Sequence, residues 1–104
     1  MSNGSLIRLA REFSNLRVRD LAELASLTPA AISAGERGEL RLSTKTRWRV
    51  FEILLGQLCR IHALQAPRCT SEASLRRELQ TLIARSEVLR AEASLRTADE
   101  LMAS

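Results

Sequence analysis

From Ser71 to Met102 the chain contains neither proline nor glycine. Such a stretch predicts one helix of roughly 30 residues, about 45 Å long at 1.5 Å per residue. A body of about 55 residues has a radius of gyration near 10 Å, so this helix cannot lie wholly on it. Part of it must project or meet another chain. A 4-3 spaced seam runs along it: Leu75, Leu79, Leu82, Ser86, Leu89 and Ala93. In heptad terms this is a coiled-coil seam, expected to pair two chains. A second seam comprises Ala84, Val88, Ala91, Leu95, Ala98 and Met102. Two seams on one helix predict more than one neighbour, as in a dimeric bundle. Glu72–Arg76 and Glu92–Arg96 are i, i+4 pairs in the favourable order, expected at solvated edges.

Composition points the same way. Of 104 residues, 45% are hydrophobic, 3% are aromatic and none is tyrosine. Leu and Ala dominate, which favours helices over strands. The length excludes a large α/β enzyme. No apolar run approaches the ~18 residues that cross a bilayer. Met1 to Ser5 lack a basic region followed by an apolar one, so no secretory signal is expected. With no such signal, the two cysteines predict reduced thiols and a cytoplasmic setting.

Helix signals divide the rest. Residues 5–14 predict a first helix with Leu6, Ile7, Leu9, Ala10 and Phe13 on its apolar face. Residues 17–25 predict a second, with Leu21, Leu24 and Ala25 inward and Ala22 allowing close approach. Thr28-Pro29 is a strong start signal: the hydroxyl caps an orphan N–H, and proline suits the first position, where none is needed. The third helix then runs from Pro29 to about Glu36, closed by Gly38 in the left-handed conformation. Ser43 or Thr44 caps a fourth, carrying Trp48, Phe51, Leu55 and Leu58 as core residues. Gly56 either ends this helix or lies inside a longer one reaching Leu64. Pro67 marks a linker. The predicted organisation is all-α: a bundle over 1–64, a linker over 65–70 and a long helix over 71–104.

The net charge is +4. Between Glu39 and Glu52 there are four cations and no acid: Arg41, Lys45, Arg47 and Arg49. This suits an anionic partner.

Particular residues then narrow the reading. Leu21-Ala22 stand in the second helix, Ile32 in the third, Glu36-Arg37-Gly38 after it, and Leu55-Gly56 near the end of the fourth. With Arg11 in the first helix, the segment from Ile7 to about Leu55 resembles the helix-turn-helix family of Cro and phage repressors, the xenobiotic-response-element type. The resemblance implies a lambda-repressor-like bundle in which Arg11 and Glu36 form a structural ion pair. It implies double-stranded DNA as the partner, with the third helix in the major groove. Pro29, Ala30, Ala31, Ser33 and Ala34 would then face base edges, with Thr28 at the cap. Arg17, the Val18 N–H, Arg37, Arg41, Thr44 and Lys45 would contact the backbone. The sequence departs from the family at Val18, where family members often carry a glutamine that contacts phosphate. The recognition face is mostly alanine, Arg17 sits at a usual capping position, and Gly35 replaces a large apolar residue.

Other chemistry is sparse. Cys59, His62 and Cys69 are soft-ligand types, but a structural zinc site wants four ligands and no fourth is evident. One histidine, no phosphate-binding glycine loop and no paired carboxylates leave no catalytic set. No cofactor or metal is expected. The function expected is a homodimeric transcriptional repressor reading a palindromic operator. The alternative is a protein-interaction module, such as the antitoxin of a toxin–antitoxin pair or an anti-repressor.

Overall fold

The computed structural model describes residues 1–103. Ser104, the last residue of the expected 71–104 unit, lies outside them. The elements are α1 (Asn3–Phe13), α2 (Val18–Ala25), α3 (Pro29–Glu36), α4 (Thr44–Ile61) and α5 (Glu72–Ala103). The all-α architecture with a long C-terminal helix is therefore what the chain forms. Among the described residues no helix is long and apolar enough to cross a membrane.

Helix starts follow the capping chemistry. The Ser2, Thr28 and Ser43 hydroxyls accept from the backbone N–H groups of Ser5, Ala31 and Thr46. Arg17 has no oxygen with which to cap α2. Asp20 compensates, its carboxylate accepting from the Arg17 N–H at 2.9 Å, the acidic half of a capping box. α1 begins two residues before the predicted start. Gly56 lies inside α4, which ends at Ile61.

The first four helices end alike. Asn15, Ser26, Gly38 and Ala63 all take positive φ, between 55° and 75°. The next N–H in each case returns to a carbonyl five residues back: Leu16 to Arg11, Leu27 to Ala22, Glu39 to Ala34 and Leu64 to Cys59. These are Schellman closures. Glycine meets the steric demand only at Gly38, as its position predicts; Ala63 bears a Cβ penalty.

One core joins all five helices. It gathers Leu6, Ile7 and Ala10 of α1, Leu21 and Ala22 of α2, Ile32 of α3, Phe51, Leu54 and Leu58 of α4, and Leu75, Leu79, Leu82 and Ile83 of α5. Ala22 occupies the buried place on α2, whereas Leu24, predicted inward, is 44% exposed. The contribution of α5 corrects the predicted pairing seam. Leu75, Leu79 and Leu82 are buried within their own chain and cannot pair two chains. Ser86 is occupied too, its hydroxyl donating to the Leu82 carbonyl and lying 2.8 Å from His62 Nε2. Only Leu89 and Ala93 of that seam stay exposed.

α5 lies parallel to both α1 and α4. Its start meets the start of α4 through Arg47 and Glu72, and its middle meets the end of α4 through His62 and Ser86. Arg76 donates to the Met1 carbonyl, and Arg90 stacks on Phe13 at 4.2 Å from the ring centroid. A parallel neighbour needs a return path. Residues 62–71 supply it, and Ala66 to Thr70 pass beside Trp48, Glu52, Leu55 and Gly56. The predicted linker over 65–70 is thus a strap along α4, and the 1–64 and 71–104 units share one core. Beyond Ile83 no residue of α5 is buried. The molecule accordingly extends to 52 Å in one direction and 29 × 23 Å in the others.

Candidate nucleic-acid interface

The α2–turn–α3 unit is held from behind by charge. Arg11 donates from Nε and Nη2 to the two Glu36 carboxylate oxygens at 2.8 and 2.9 Å. Its Nη1 reaches the Leu16 carbonyl at 3.0 Å. The side chains are 13% and 7% exposed. The hydrogen bonds that Arg11 donates to Glu36 hold the guanidinium pKa above its ordinary value against the opposing effect of burial. This fork ties α1 to the end of α3 and fixes the roll of α3 on the body.

Gly4 sets how closely those two helices approach. A Cβ there would fall 2.5 Å from the Glu36 carbonyl oxygen and 2.7 Å from that of Gly35. Gly35 itself is less demanding, since a Cβ would meet only the Leu42 side chain at ordinary contact distance. The helix stays regular through Gly35 to Glu36.

With its back fixed, α3 turns its N-terminal end outward. Thr28, Pro29 and Ala30 are exposed, while Ala31, Ser33 and Ala34 are half-buried. Ile32 faces the core. The face offers methyl groups, one serine hydroxyl and backbone N–H groups, with no long amide or guanidinium. A surface hollow brings Ser26 and Leu27 of the α2–α3 turn together with Lys45 and Arg49 of α4. Lys45 and Arg49 are exposed and form no ion pair among the described residues. Thr44 is exposed at the start of α4, and Arg41 is exposed in the preceding loop beside Gly38, Leu40 and Leu42.

Three other cations are engaged. Arg17 pairs with Asp20 at 3.0 Å, which holds that carboxyl below its usual range. Arg37 pairs with Glu39 at 3.0 Å with the same effect on Glu39. Arg47 is engaged by an acid: it binds Glu72 in a two-pronged contact and donates to the Leu42 carbonyl at 3.1 Å. The predicted Glu72–Arg76 pair gives way to it, and Arg76 turns instead to Met1 and Asn3. Val18 is half-buried and packs against the core, so only its N–H can serve a phosphate.

The structure sets Lys45 beside the α2–α3 turn that leads into α3 and adds Arg49 there, which sequence reasoning missed. The acid-free run from Arg41 to Arg49 held that signal; the α4 periodicity needed to separate Arg49 from Arg47 was also present. No metal-binding group of three or more His, Cys, Asp or Glu exists among the described residues. Cys59 and Cys69 are free thiols, and burial raises the pKa of Cys59. No family model, curated protein or solved structure matches this chain.

Proposed function

We propose that the chain is a non-enzymatic, sequence-specific DNA-binding transcriptional regulator, a dimeric repressor that lays α3 in the major groove of a palindromic operator. The observation that carries this reading is the exposed N-terminal end of α3, with Lys45 and Arg49, unpaired among the described residues, beside the α2–α3 turn that leads into it. A helix with an exposed leading end can present it to base edges, while flanking cations hold phosphates. Arg41 and the Val18 N–H extend the backbone contacts. Arg17 and Arg37 join on exchanging Asp20 and Glu39 for phosphate, or on sharing them. Half-sites lie about one helical turn apart. The setting is the cytoplasm of a bacterium, with the host genome, a phage or a plasmid as source.

The face also sets the mode of reading. Ala30, Ala31 and Ala34 can touch thymine methyls, and Ser33 can donate or accept. None makes a bidentate contact, each of which is worth about 1–3 kcal/mol of discrimination. DNA shape therefore carries a larger share of specificity. Affinity for a 30-base-pair duplex, measured across a salt series, tests the phosphate assignment. Lys45→Gln and Arg49→Gln should each reduce the log–log salt slope by about 0.9. Unchanged slopes in both variants would remove these cations from the interface.

A further inference from the structure

The projecting half of α5 carries a row that the body does not use. Ala84, Val88, Ala91, Leu95, Ala98 and Met102 alternate small and large at 4-3 spacing. All are exposed, Val88 at 56%, Leu95 at 67% and Met102 at 87%. At 100° per residue the row lies roughly 170° around the helix from Leu75, Leu79, Leu82 and Ser86, which face the body. A helix laid on this row therefore meets no part of its own chain.

From this arrangement we infer that the row is the pairing surface between two copies of the chain, and that the two helices run antiparallel. The inference rests on the dimer reading above and supplies its geometry. Alternation of alanine with larger residues lets one helix seat its large side chains against the small ones of the other. In antiparallel pairing that register places Leu95 beside Ala91 of the second copy, Val88 beside Ala98, and Met102 beside Ala84.

The flanking charges choose the direction. In the antiparallel register Arg85 of each copy meets Asp99 of the other, giving two attractive contacts. Glu92 meets its own counterpart once, near the two-fold axis. A parallel pair would oppose Glu87 to Glu92 of the second copy twice and leave Arg85 without an acid. Arg85 and Asp99 are exposed and form no ion pair within the chain among the described residues. Antiparallel pairing also sends the two bodies to opposite ends of the joint, with both recognition helices free.

Sedimentation equilibrium of the full chain without DNA tests this. The parent should fit a concentration-dependent equilibrium between the 11.6 kDa chain and its dimer. Leu95→Glu should give monomer with unchanged helical content by circular dichroism. Arg85→Glu and Asp99→Arg should each raise the dimer dissociation constant about tenfold. The double reversal Arg85→Glu/Asp99→Arg should return it to within about threefold of the parent. A parent that is monomeric throughout, a dimer that survives Leu95→Glu, or single effects that add without rescue would each overturn the inference. Because no DNA is present, these outcomes are independent of whether α3 reads DNA.

Discussion

Two arginine–glutamate forks hold this molecule, and they are close copies. Arg11 grips Glu36 and Arg47 grips Glu72, each glutamate 25 residues after its arginine. Each arginine also donates Nη1 to a carbonyl five residues away, that of Leu16 or of Leu42. The first locks α1 to α3 and the second locks α4 to α5. Their surroundings differ. Glu36 is 7% exposed, whereas Glu72 is 27% exposed. The first fork is tied to a crowded backbone approach at Gly4. The arginines are equally buried, at 13% and 12% exposed, so the consequences differ through the glutamates: with its carboxylate removed, Arg47 can be reached by water through the open side at Glu72, whereas Arg11 cannot through Glu36.

The largest effect should follow loss of the buried carboxylate. Glu36→Ala should lower unfolding free energy by about 3–5 kcal/mol, since it strands a buried guanidinium. That is a large share of the ~5–15 kcal/mol typical of a domain. Urea denaturation reads it, and an equal loss from Glu72→Ala would erase the distinction between the forks. Gly4→Ala should cost about 1–3 kcal/mol through overpacking against the α3 carbonyls. Thermal melting reads this loss, whereas Gly56→Ala, in open space, should instead stabilise by about 0.5–1 kcal/mol.

Glu72→Ala should cost roughly 1–2 kcal/mol, between the exposed and buried limits for ion pairs. Its contribution should also depend on pH. The hydrogen bonds from Arg47 hold the Glu72 carboxyl below its ordinary value in the folded chain. The pair's stabilisation is therefore complete above the ordinary carboxylate range and is lost as pH falls through the depressed value. Stability measured from pH 7 to pH 2 should fall less steeply for Glu72→Gln than for the parent. Another small gain is expected from Ala63→Gly, which relieves a left-handed residue and adds about 1 kcal/mol, with denaturant midpoints as the readout.

The forks also show what a sequence displays and what it conceals. Local signals located the helices: Thr28-Pro29 marked the start of α3, Gly38 marked its closure, and i, i+3, i+4 spacing marked the α4 core. The Arg11–Glu36 pair was legible through family resemblance. Arg47–Glu72 was not, because helical periodicity separates Arg47 from Arg49 without naming a partner for it, and Glu72 has a closer sequence partner in Arg76. The return of residues 62–71 along α4 decides that contest. The α5 seam was concealed for the same reason. A heptad row states that a face will be covered, but Leu75, Leu79 and Leu82 are covered by their own chain. Gly4 was unreadable because its role is contact with a carbonyl 32 residues further along. At the proposed interface, exposure of the α3 leading end follows the sequence reading, while the pairing of Arg17 and Arg37 with neighbouring acids depends on side-chain geometry.

The central proposal is that α3 reads DNA, and selection of the purified chain on random duplex DNA, followed by sequencing, tests it most directly. Salt-sensitive retention is expected, with an enriched palindromic consensus whose half-sites lie about one helical turn apart. Failure to retain duplex DNA even at low salt would contradict it.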